Sequence, residues 1–360
     1  MFSDVAQKLE KIDEPPYNSN VIMLIALLKE GQDFAEEDMD ESEIVLESED
    51  KVVKNKFEAD RKYATHAINI YVASWKWTWD EIANAMEIKV DDILYTWFDD
   101  NDEDHCPKFM LLLDHDLKSV VLVIRGTFSF NDIVMDVVCE EVEFQEGFAH
   151  KGFLDGSKVV LDKCHETLET AVSSFPGYGV VVCGHSMGGA TAALVTMQLL
   201  QYHHLDSVRC VALGSPPVFR AKDGQIDRNI VENTNIYVNS HDVVPSLSFG
   251  SVVNLMAMLR MVDRLGMSLE EKVGVLMGSD GALANTKKIR SCVKDVKQDK
   301  FPFLQHPGEV IKMTGGGDQV KLERMTVPRV ERMVSSIRID ETMITDHLYT
   351  KYEDIFRIQN

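Results

Sequence analysis

The chain contains no apolar run approaching the ~18 residues that a membrane-spanning helix needs. Its best candidates, residues 21–28 (VIMLIALL) and 252–258, are too short. The opening MFSDVAQKLEKIDEPP carries acids and has no apolar h-region, so it does not read as a secretory leader. Cysteine is sparse and unpatterned. Cys106, Cys139, Cys164, Cys183, Cys210 and Cys292 form no C-x-x-C pair, which removes a disulfide framework. A reduced, cytoplasmic and at most membrane-peripheral protein is expected. Positive charge is also scarce: 37 Lys and Arg stand against 59 Asp and Glu, a net charge of −22. That balance disfavours nucleic acid, or an anionic membrane bound through a basic patch. A neutral lipid or small apolar ester remains electrostatically allowed. The acidic stretches at 30–50 and 99–104 lack the glycine turn and ligand spacing of an EF-hand loop. They are expected to be solvated loops, with no metal or cofactor held.

What is present changes character near residue 105. Residues 1–30 suggest one or two short helices broken by Pro15 and Pro16. Residues 57–97 have apolar side chains at helical spacing, with Trp75, Trp77 and Trp79 clustered among them. Aromatics at this density predict core or interdomain packing. Beyond 105, short β-branched runs at 109–113, 119–124, 179–183, 208–213, 235–238, 309–313 and 334–339 alternate with helical stretches at 152–173 and 187–202. Strands without polar alternation, separated by helices, imply a mainly parallel sheet covered on both faces, an α/β class.

Residues 178–200 read YGVVVCGHSMGGATAALVTMQLL, an apolar run, Gly184-His185-Ser186-Met187-Gly188, and a small-residue helical stretch. G-x-S-x-G arises by chance about 0.1 times in such a length. Between a strand and a helix it places Ser186 at a strained turn above the carboxyl edge of a sheet. The plain alternative is a helix N-cap in a glycine turn.

A serine nucleophile needs a base, a group orienting that base, and donors for the oxyanion. In α/β-hydrolase folds the chain order is serine, acid, histidine. Asp242 ends the strand-like NIYVNSHDVVP and shares the sheet edge expected for Ser186. Asp206, Asp223 and Asp227 are less well anchored. Only His306 and His347 follow Asp242. His347 follows the run at 334–339, from which a loop can return to the carboxyl edge, and is favoured. His306 precedes the run at 309–313 and would lie at the opposite edge. His185 should point away from the serine. The apolar run ending in Arg125-Gly126-Thr127 offers the Thr127 amide as one oxyanion donor, and Met187, next to the serine, offers the other.

Together VVLVIRGTFSFNDIVMD, AHKGFL, GHSMGGATAAL, VALGSPPV, NIYVNSHDVVPSLSFGSVVNL, HPGEVIKM and ETMITDHL resemble the class 3 (fungal-type) lipase family. Within it they look most like the sn-1-specific diacylglycerol lipases, over about two thirds of the chain. The resemblance implies an α/β-hydrolase fold at 105–360, Ser186 as nucleophile, Asp242 as orienting acid and His347 as general base. It adds Thr127 and Met187 as oxyanion donors and matches a structural aspartate to Asp136. It implies hydrolysis of fatty-acyl esters of glycerolipids, with diacylglycerol favoured, and peripheral contact with a membrane or lipid droplet. Phospholipase A1 activity, a soluble esterase and a catalytically silent lipase-like scaffold are the alternatives. A helical N-terminal region at 1–104 and a methionine-rich helical insertion at 252–300 depart from the compact fungal pattern. That insertion reads equally as an interfacial lid or as a buried cap.

Overall fold

The computed structural model describes residues 20–37, 51–76, 78–99, 106–127, 140–202, 205, 207–279, 281–295, 303–316 and 319–357. In chain order its helices are α1 (Val21–Glu37), α2 (Lys51–Ala73), α3 (Trp79–Met86), α4 (Lys151–Ser174), α5 (Met187–Leu199), α6 (Arg228–Glu232), α7 (Phe249–Arg264), α8 (Leu269–Leu276), α9 (Leu283–Asp295), α10 (Val327–Ser335) and α11 (Tyr349–Phe356). The strands are β1 (Ile93–Trp97), β2 (Phe109–Asp114), β3 (Ser119–Ile124), β4 (Glu141–Phe144), β5 (Gly147–His150), β6 (Gly179–His185), β7 (Val208–Leu213), β8 (Phe219–Ala221), β9 (Thr234–Asn239), β10 (Glu309–Gly316) and β11 (Gln319–Arg324).

Eight strands form one sheet in the order β1-β2-β3-β6-β7-β9-β10-β11. The five from β3 to β10 run parallel, and β1, β2 and β11 add antiparallel edges. A short antiparallel sheet, β4-β5-β8, stands apart. Side chains alternate between the two faces with the two-residue period of a strand. Val120, Leu122, Val180, Val182, Cys210 and Ala212 pack beneath α4 and α5. Val121, Val123, Val181, Cys183, Val211 and Leu213 pack against α2 and α11. Burial on both sides is why these strands read as unbroken apolar runs.

Residues 51–86 therefore cover one face of the sheet, although they precede the boundary drawn at 105. Asp60 of α2 is buried there, bonded to Arg209 of β7 and accepting from Asn235 Nδ2 (2.7 Å) and Tyr237 Oη (2.9 Å) of β9. A third cluster joins Leu24, Leu27 and Leu28 of α1 to Met258, Leu259, Val262, Val275 and Ile289 of the insertion. The insertion thus shares a small core with α1. No described helix is long and apolar enough to cross a membrane, and the described residues contain no three-ligand metal cluster.

Three local expectations need correction. The acidic stretch expected to be loop from residue 30 starts inside α1, which continues to Glu37. The helix expected through 57–97 ends at Ala73 and is followed by α3 and β1; Trp75, in the turn after α2, and Trp79, the first residue of α3, are 60% and 53% exposed, not core, and Trp77 falls outside the described residues. The run 334–339 is not a strand: α10 occupies it to Ser335. The edge beyond β10 is already taken by β11, so Ile339 turns to the insertion core and Ile337 to the cluster of Val243, Val244 and Leu247. Gln32 of α1 serves as their strand neighbour, its Nε2 donating to Ile337 O (2.9 Å) and its Oε1 accepting from Ile339 N (3.0 Å).

Candidate active site

β6 delivers Ser186 to its carboxyl end, where the chain turns directly into α5 with Ser186 at φ 60°, ψ −129°. That left-handed φ is strained for a side-chain-bearing residue. Neighbouring glycines make it possible. A Cβ at Gly188 would lie 2.2 Å from Ile124 O, and one at Gly184 would lie 2.4 Å from the Gly188 carbonyl carbon. Ser186 N donates to Leu213 O (2.7 Å), tying the turn to the end of β7.

The hydroxyl meets His347, which sits in a 3-10 turn just before α11. Ser186 Oγ is 2.8 Å from His347 Nε2. On the other ring edge, Nδ1 is 3.0 Å and 2.9 Å from the two carboxylate oxygens of Asp242. Asp242 follows β9, as its strand-end context predicts. Its Oδ1 accepts from Val244 N (2.9 Å) and its Oδ2 from Tyr352 Oη (2.7 Å). With both oxygens held, the carboxylate can rotate little, and it fixes the imidazole tautomer that leaves Nε2 free to accept a proton.

The structure thus brings together Ser186, Asp242 and His347, and it leaves His306 out. His306 Nε2 donates to Pro245 O (2.9 Å), and burial lowers its pKa to about 4. Thr127 continues the exit of β3, one residue after Gly126, which abuts Ser186: a Cβ there would lie 3.2 Å from Ser186 Cβ. Met187 opens α5 and packs on Val243, Val244 and Leu247. Ser186 is fully buried, and Asp242 and His347 are each 5% exposed. Asp136 lies outside the described residues.

Four supporting residues escaped the sequence reading. Tyr352 belongs to α11, and nothing in its local pattern separates it from core. Gly214 adopts φ 54°, and a Cβ there would come within 2.7 Å of Asp242 Oδ2 and 3.2 Å of His347 Nδ1. Its VALGSPPV context was the available signal. His185 does point away from the serine, yet it is not idle. Its Nε2 bonds the backbone oxygen of His347 (2.9 Å) and its ring stacks on His347 with centroids 4.8 Å apart. A carbonyl can only accept, so Nε2 carries the proton. Burial, then the neighbouring His347, holds the His185 pKa well below the usual value, so Nδ1 accepts from Tyr71 Oη (2.9 Å). Tyr71 comes from α2, and its hydroxyl takes a hydrogen bond from the Gly126 backbone. A chain of bonds therefore runs from the turn after β3, through Tyr71 and His185, to the backbone of His347.

A cavity of 520 Å³ lined by Glu58, Arg61, Lys62, His66, Glu87 and Arg357 lies elsewhere. Arg61 pairs with Glu58, and Arg357 with Glu87. None of its lining residues is a serine or a cysteine.

Residues 121–252 match the family profile described as lipase (class 3). Mouse diacylglycerol lipase-beta is 31% identical over 159 residues, covering 41% of this chain and 23% of that protein. A Rhizomucor miehei lipase is 32% identical over 143 residues, 36% of this chain and 38% of that protein. The chain therefore matches well under half the length of these relatives. The Rhizomucor miehei triacylglyceride lipase structure superposes with a TM-score of 0.53 at 19% identity, covering 82% of this chain and 92% of that one. The likeness establishes an α/β-hydrolase fold.

Proposed function

We propose that this chain, which carries a class 3 lipase region, is a serine hydrolase of fatty-acyl glycerolipid esters, with diacylglycerol the favoured substrate. One observation carries the reading: the unbroken Ser186–His347–Asp242 bond chain at 2.8 Å and 2.9 Å. Ser186 Oγ attacks the ester carbonyl carbon while its proton passes to His347 Nε2. Asp242 stabilises the resulting imidazolium, and the amides of Thr127 and Met187 receive the oxyanion. The tetrahedral intermediate collapses, and the alcohol departs with the proton from Nε2. Water, deprotonated by the same nitrogen, then releases the fatty acid from the acyl-enzyme. Residues 105–360, with α2 completing the sheet, form the unit that does this. The preference for diacylglycerol draws on the name of the mouse relative and on the spacing from the acid turn to the TDH histidine.

A fluorophosphonate probe should label the wild type and not Ser186→Ala. Ester turnover should fall about 10⁴-fold or more in Ser186→Ala and His347→Ala. His306→Gln should keep most of its activity. A wild type that stays unlabelled, or equal losses at His306 and His347, would overturn the assignment. Hydrolysis of diacylglycerol no faster than that of triacylglycerol, monoacylglycerol or phospholipid would retain the hydrolase and remove the preference.

A further inference from the structure

The hydroxyl of Tyr71 stands where two segments of the candidate active site meet, although α2 lies outside the residues 121–252 that match the lipase family. Its proton points one way: Oη donates to His185 Nδ1 (2.9 Å), and His185 Nε2 donates in turn to the backbone oxygen of His347 (2.9 Å). Its oxygen also accepts from the Gly126 backbone N–H. Gly126 precedes Thr127 and is held at close quarters. A Cβ there would lie 2.5 Å from Tyr71 Oη and 2.5 Å from His185 O. The Tyr71 ring lies flat on Tyr349, two residues after His347, with centroids 4.7 Å apart and planes 5° apart. Ser74, just past the end of α2, adds a second tie to the same turn. Its Oγ accepts from Arg125 Nη1 (2.9 Å) and donates to Tyr71 O (3.2 Å). Core filling alone does not call for this hydroxyl, since a phenylalanine occupies nearly the same volume without burying a polar group. Burial keeps the phenol protonated, so it serves as donor and acceptor at once.

We propose that Tyr71 is a positioning residue of the candidate active site, holding the Gly126–Thr127 turn and the His347 loop in register through His185 and Tyr349. The inference rests on the serine-hydrolase reading, in which the Thr127 amide meets the oxyanion and His347 Nε2 takes the serine proton. Those two groups must face one ester carbonyl, yet they come from segments far apart in sequence. The bonds to Asp242 and Ser186 fix the imidazole of His347. The Tyr71 hydroxyl links the backbone of that histidine to the oxyanion turn. Tyr71 touches neither the substrate nor the reacting atoms; it acts through His185 and Gly126. A small displacement of either segment costs more in the transition state than in the bound ester, because the bonds to the oxyanion form fully only there. The loss therefore belongs to kcat and not to KM.

Hydrolysis of p-nitrophenyl butyrate by the full chain, with sites counted by fluorophosphonate labelling, tests this role. Tyr71→Phe keeps the ring on Tyr349 and removes only the hydroxyl. Its kcat per labelled site should fall about tenfold, with KM within about twofold of wild type. His185→Leu should fall at least as far. His185→Gln, whose amide N–H can replace the ring Nε2–H toward His347 O, should recover part of that loss. In Tyr71→Phe/His185→Leu the two losses should be less than multiplicative, because both substitutions cut one chain of bonds. A purely structural role would lower the number of labelled sites and leave turnover per site unchanged, and that result overturns the proposal. So does a rise in KM at unchanged kcat, a multiplicative double loss, or His185→Gln no better than His185→Leu. If Tyr71→Phe does not fold, the comparison of the two His185 variants decides. A wild type that never labels would instead sink the hydrolase reading.

Discussion

Tyr352 shows how one hydroxyl can set the orientation of a carboxylate. Its pKa is raised well above normal, by burial first and then by the Asp242 charge, so it remains a donor across the working pH range. Tyr352→Phe removes the bond to Asp242 Oδ2 but leaves the Val244 amide on Oδ1. A hydrogen bond to an ionised group is worth roughly 1.5–3 kcal/mol. Turnover of a soluble ester should therefore fall about tenfold with little change in KM. Unchanged turnover would show that the amide suffices to hold Asp242. Ser186 was legible in the sequence because a strained turn demands glycines at fixed offsets. Tyr352 and Tyr71 were not, because their roles arise only where distant segments meet.

At the scale of elements, α2 is held to the sheet by more than its apolar face. Burial raises the pKa of Asp60, while Arg209, Asn235 and Tyr237 pull it back. Asp60→Ala would strand the Arg209 charge and two buried donors. A loss of about 3 kcal/mol is expected, less for Asp60→Asn, read as a fall in the urea midpoint. A loss no larger than that of the exposed Lys54→Ala would mean the cluster is neutral. The parallel strands were legible because double-sided burial imposes continuous apolar runs. The segment 334–339 carries the same β-branched signal but found no open sheet edge. Its backbone is met instead by Gln32, some 300 residues away in sequence. The placement of His347 from that supposed strand led to the residue that reaches Ser186, although its premise failed.

For the whole molecule, two buried neutral histidines contribute to the acid limb of stability. His306 titrates near 4 when folded and near 6.5 when unfolded; His185 is shifted in the same direction. The unfolded chain therefore takes up protons first as pH falls. Stability from His306 is complete above about pH 6.5 and declines toward pH 4, by up to about 1.4 kcal/mol per pH unit, and His185 adds a loss of the same sign. Urea unfolding at pH 7 and pH 5 should show a shallower decline in His306→Gln than in wild type; equal slopes would refute the assignment to His306. The sequence by itself determined the parallel α/β sheet, the strained serine turn, and the chain order of Ser186, Asp242 and His347. Those features are written in local spacing and in periodic burial. Only the tertiary structure decided that α2 covers one face of the sheet, and that Tyr71 and His185 brace the backbone of His347. Each depends on which surfaces meet across hundreds of residues, and no local pattern encodes that.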